Sequence, residues 1–151
     1  MQVFAHTYPG EVAGLVLVDP EDGRLITRLR AVLPAKVWAA REQVLAVDAL
    51  PAPVKREYDA LGLTGDETAR ATPLPAVPVV LFTGTKKDAG FPGNPSEQDL
   101  KLAMHNELAA QTPGVRHVLV PSSRHYIQND APELVVTAIA GILTQVRHNR
   151  R

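Results

Sequence analysis

One histidine, His125, stands in a short polar loop, Ser122-Ser123-Arg124-His125-Tyr126, between an apolar run and a helix-start pattern. An imidazole in such a place can take up and return a proton near neutral pH. That chemistry needs a partner to fix the tautomer, and a carboxylate serves best. Two aspartates follow apolar runs in a similar way. Asp88 ends Gly84-Thr85-Lys86-Lys87-Asp88, where the glycine permits a sharp exit from a strand. Asp19 closes Val18-Asp19-Pro20. Asp88 is the first candidate and Asp19 the alternative. Asp88 also reads as a solvated loop residue beside two lysines, and His125 as a loop histidine capping a carbonyl. His105 is expected on a helix surface, and His117 at a strand edge or packed against a neighbour.

No nucleophile accompanies this base. The chain contains no Gly-x-Ser-x-Gly, and its serines are Ser96, Ser122 and Ser123. None lies on a strand-to-helix elbow. Metal chemistry has little support, because no His-x-x-x-His pair occurs and cysteine is absent. No cofactor is implied. Gly90-Phe91-Pro92-Gly93 neither follows a strand directly nor opens a helix, so a phosphate-binding domain of the Rossmann or flavodoxin type is disfavoured.

The elements that must hold the base are three short apolar, β-branched runs, 12–18, 77–82 and 115–120. Their continuous apolarity suggests burial on both faces, as in a parallel sheet covered by helices. Ser96 with Asp99 three residues on predicts a capped helix that Pro113-Gly114 ends. Asn129 or Asp130, with Pro132 and Glu133, predicts the start of a last helix with a broad apolar face from Leu134 to Val146. Between the first two runs, residues 20–74 predict three amphipathic helices separated by prolines, the third shorter than the others. Residues 1–8 read as the end of a helix that Pro9-Gly10 stops.

Length and composition fit one α/β domain. The chain has 151 residues, 45% of them hydrophobic, with 16 basic and 16 acidic side chains. Zero net charge gives no basic face for nucleic acid. No apolar run is long enough for a membrane span, and the N-terminus lacks signal-peptide features, so the expected compartment is the cytoplasm.

The blocks together resemble the C-terminal part of an α/β-hydrolase-fold protein. His6 to Pro20, with Tyr8-Pro9 and Leu15-Val16-Leu17-Val18-Asp19, is similar to the stretch after the family's nucleophile elbow. Pro78 to Asp88 resembles the seventh strand and acid loop. Ser123 to Gln128, with Pro132-Glu133-Leu134-Val135, resembles the histidine loop and last helix. The resemblance implies a three-layer parallel sheet, of which the last three strands are here, in one partial domain spanning 1–151. It places a helical lid insertion at 20–74. It implies a Ser-Asp-His mechanism on a small ester-like substrate. Trp38, Leu45 and Tyr58 are then candidate substrate contacts, or the lid's own core. Arg124 departs from the glycine usual before the histidine. With the elbow and oxyanion donors absent, the chain alone is expected to lack serine-type turnover. Its first strand would be an open apolar edge, inviting self-association or a complementing N-terminal half. The competing reading is a non-catalytic pseudoenzyme or small-molecule-binding module of the same fold.

Overall fold

Three parallel strands, packed between helices, bring their carboxyl ends to one side of the molecule. The computed structural model describes residues 1–45, 49–87 and 96–149. Strands β1 (Leu15–Val18), β2 (Val79–Gly84) and β3 (Arg116–Val120) form a sheet in the order β1-β2-β3. Both pairings are parallel, with Val18 opposite Phe82 and Phe82 opposite Val118. All of β2 is buried. Its run Val-Val-Leu-Phe is apolar on both faces, as a strand covered on two sides requires.

Alternation along β2 divides the core. Val79 and Leu81 pack with Leu15, Leu17, Leu74, Leu108 and Ala5 on one face. Val80 and Phe82 pack with Val120, Ile127, Ala138 and Ile142 on the other. The first face is covered by α1 (Gln2–Thr7) and, later in the chain, α5 (Glu97–Gln111), while α6 (Ile127–Asp130) and α7 (Pro132–Asn149) cover the second. The layering is that of an α/β fold.

Helices α2 (Arg24–Val32), α3 (Ala35–Leu45) and α4 (Ala52–Arg70) occupy the segment between β1 and β2. The third runs 19 residues and is not the short helix expected. Gly65 does not stop it, because α4 crosses the start of α2 there. A Cβ at Gly65 would lie 2.7 Å from the carbonyl carbon of Gly23. Close packing thus outweighs the poor helix propensity of glycine. Leu25, Leu29, Leu33, Trp38 and Met104 make a third core that ties α2 and α3 to α5.

Helix α5 starts as expected. The Ser96 hydroxyl accepts the Asp99 N–H at 3.0 Å, and the Asp99 carboxylate accepts the Ser96 N–H at 3.3 Å. The last helix starts differently. Asn129 and Asp130 lie inside α6, and the Asp130 carboxylate accepts the Ser123 hydroxyl at 2.7 Å instead of capping α7.

Among the described residues β1 pairs on one side only. Leu15 and Asp19 donate to the carbonyls of Pro78 and Phe82, each at 2.9 Å. Strand alternation therefore turns the backbone groups of Val16 and Val18 outward. A groove of about 320 Å³ runs along this edge, lined by Met1, Val3, Val16, Val18 and Glu21 among others. Among the described residues no helix is long and apolar enough to cross a membrane.

Candidate active site

The site forms where the sheet's strands end. β1 runs straight into Asp19, whose backbone takes φ 43°, a left-handed conformation unusual for a residue with a side chain. Aspartate tolerates this region better than most residues, but holding it there costs on the order of 1 kcal/mol. The turn drives the carboxylate inward, and Asp19 is fully buried.

Among the described residues three donors meet that carboxylate. The Gly84 N–H donates to Oδ1 at 3.0 Å. The Lys101 ammonium, from α5, donates to Oδ2 at 3.1 Å. His125 Nδ1 lies 3.0 Å from the same Oδ2. An ionised carboxylate only accepts, so the proton between them belongs to Nδ1. The side chain of His125 remains 44% exposed, so a reactant can reach the ring.

The loop that presents His125 depends on Gly84. A Cβ there would collide with the carbonyl of Arg124 and come within 2.9 Å of the Ser123 oxygen. Glycine at the end of β2 thus admits the histidine loop. The loop is pinned further by Lys86 N–H donating to Ser123 O at 2.9 Å and by buried Ser123 on Asp130. Tyr126 packs edge-on to the imidazole, with ring centroids 5.1 Å apart.

A second carboxylate joins the site. Glu21 Oε1 accepts Lys101 Nζ at 2.8 Å and lies 3.7 Å from His125 Nδ1. Burial disfavours the charge on Lys101, but its bonds to Glu21 and the charges of Glu21 and Asp19 outweigh this and raise its pKa. The lysine is therefore a fixed cation, almost completely enclosed.

Beneath the site lies a buried polar chain. His105 is 2% exposed and not on the helix surface expected of it. Its Nε2 donates to the carbonyl of Pro20 at 2.9 Å, since that oxygen can only accept. Its Nδ1 then accepts the Thr83 hydroxyl at 2.7 Å. Thr83 in turn accepts His117 Nε2–H at 2.7 Å. Burial lowers the pKa of both imidazoles, and each is held neutral more firmly than in water.

Of the acids considered from sequence, the structure brings Asp19 to the histidine. Asp88 lies outside the described residues. Gly84 admits residues 123–124 and donates to Asp19. Trp38 is buried in the helical core, flanked by the guanidinium groups of Arg30 and Arg41 at 5.7 and 5.5 Å. Tyr58 is half-buried on α4. The side chain of Leu45 lies outside the described residues. Neither Trp38 nor Tyr58 lines the groove beside β1. Sequence reasoning missed Lys101. The signal was present: Lys101, Met104, His105 and Leu108 stand at i, i+3, i+4 and i+7, one buried helix face.

Among the described residues no group of three His, Asp or Glu is placed to hold a metal ion. No family model matches the chain, and no curated protein does. Among solved structures the chain is similar to the crystal structure of a probable hydrolytic enzyme from Pseudomonas aeruginosa PAO1. The identity is 18% and the TM-score 0.48, over 94% of this chain and 59% of that one.

Proposed function

We propose that Asp19 and His125 form the proton-transfer half of a hydrolase for a small ester-like substrate. His125 is the general base and acid, and Asp19 orients it. The observation that carries this reading is the 3.0 Å contact between a fully buried carboxylate and a half-exposed imidazole. With its proton held on Nδ1, the imidazole keeps Nε2 free of hydrogen and able to take a proton from an attacking hydroxyl or water. The position at the carboxyl ends of parallel strands supports it too, because open α/β sheets bind ligands there.

Neither Ser96, which caps α5, nor Ser123, which is buried on Asp130, is free to attack, and Ser122 follows β3 without the strand-to-helix elbow that presents such a nucleophile. The groove along β1 ends at Glu21, beside the imidazole. In this reading the attacking hydroxyl and the oxyanion donors arrive along that open edge, from residues beyond these 151 that extend the sheet. Without them, water is the remaining attacking group. The absence of an elbow serine also favours a second reading, a binding module that keeps the crevice without turnover.

Hydrolysis of p-nitrophenyl acetate, combined with fluorophosphonate labelling, separates the two. The hydrolase reading expects no adduct on the chain and slow hydrolysis that falls at least about tenfold in His125→Ala, general base help being worth roughly 10²–10⁴. Equal rates for both proteins would leave the binding module. An adduct within the chain would overturn the assignment of the attacking group.

A further inference from the structure

The contact that orients His125 sits in a cluster of charges. Among the described residues two carboxylates flank Nδ1, Asp19 at 3.0 Å and Glu21 at 3.7 Å. One ammonium joins them. Lys101 Nζ lies 3.1 Å from Asp19 Oδ2 and 2.8 Å from Glu21 Oε1, so it touches both anions at once. It is enclosed, with 7% of its side chain exposed, and water screens it little.

Among the described residues the remaining neighbours do not replace it. His105, on the same helix, is neutral and bonded to Pro20. Tyr126 presents a ring edge. Arg124 precedes His125 in the loop, and Lys86 binds that loop through its backbone N–H; neither side chain forms an ion pair with Asp19 or Glu21.

We propose that Lys101 is a positioning residue of this pair: held by Glu21 and Asp19 at once, it fixes the Asp19 carboxylate where His125 Nδ1 can donate to it. This rests on the reading of His125 as the base. Without the ammonium, two like charges would share one small site with nothing between them, and their repulsion would work against that placement.

The test is the His125 Nδ1–H resonance by NMR of the full chain. Lys101→Met is expected to lose that resonance while the Nε2–H resonances of His105 and His117, which report the fold, stay in place. Lys101→Arg is expected to keep it. Glu21→Gln, which removes one of the two anchors of the ammonium, is expected to weaken it. If Lys101→Met does not fold, the Glu21→Gln arm decides alone. An unchanged imidazole in the variants that fold would overturn the proposal. No turnover is measured, so this outcome is independent of whether the chain hydrolyses esters.

Discussion

His125 Nδ1 and Asp19 Oδ2 stand 3.0 Å apart although 106 positions separate them in the chain. The contact exists because β1 ends in a left-handed residue and because the histidine loop can lie flat on Gly84. Asp19 is a structural acceptor as well as a chemical partner. It satisfies the Gly84 N–H and the buried Lys101 ammonium together. Replacing it with Asn removes the anion and leaves Lys101 with Glu21 alone. Breaking a buried pair in this way costs about 3–5 kcal/mol. Thermal unfolding of Asp19→Asn should therefore show a melting point lower by roughly 6–20 °C, at about 2–4 °C per kcal/mol for a chain of this size. A shift of a degree or less would mean that the carboxylate bears little of the site.

Gly84→Ala isolates the loop from the charges. The added methyl meets the Arg124 carbonyl, a backbone atom that cannot turn away. Forcing extra volume into such a contact costs about 1–3 kcal/mol. The variant should unfold at lower urea concentration and lose the His125 Nδ1–H resonance, because the loop must lift. A native-like spectrum would show that the loop has room the structure does not give it.

Much of the fold was legible in the sequence. The three apolar runs became three parallel strands, shortened at their starts; Val79 to Phe82 is apolar throughout and fully buried, whereas β3 carries Arg116 and His117 and stays partly exposed, not covered on both faces as expected. The capping box at Ser96 was equally plain. What stayed hidden was tertiary. Asp19 and Asp88 follow strands alike; the structure brings Asp19 to His125, while Asp88 lies outside the described residues. Lys101 shares the buried face of α5, but the two carboxylates that converge on it come from the distant turn after β1. His105 looks exposed until α5 is rotated onto the sheet, where Thr83 and Pro20 await its two nitrogens.

That buried chain makes stability depend on pH. Burial pushes the pKa of His105 and His117 down from the ordinary value. In the unfolded chain both take protons near pH 6.5. On acidification the unfolded state therefore binds protons first, and stability falls. The contribution is complete above about pH 6.5 and is lost as the pH drops through that value toward the folded pKa values. Urea unfolding at pH 7.5 and 5.5 should show a lower midpoint at the lower pH. The carboxylates with depressed pKa values, Glu107 on Arg28 and Asp99 on Ser96, lose their contributions only at more acidic pH, below the range of the test. Identical midpoints would contradict the buried-neutral assignment.

Thr83→Val tests the hydroxyl that joins the two imidazoles. It keeps the β-branched shape on β2 but leaves His105 Nδ1 and His117 Nε2 without their shared partner. An unsatisfied buried polar group costs about 1–3 kcal/mol, so a loss in that range is expected by urea unfolding. No loss would mean that water or a neighbour replaces the hydroxyl.

The tautomer of His125 is the sharpest measurement of all. A long-range ¹H–¹⁵N spectrum at neutral pH, assigned with His125→Ala, reports which nitrogen carries the proton. A base oriented by Asp19 should show a neutral ring with hydrogen on Nδ1 and a bare Nε2, and Asp19→Asn should abolish that state. Hydrogen on Nε2, or a ring indifferent to Asp19→Asn, would contradict the pairing.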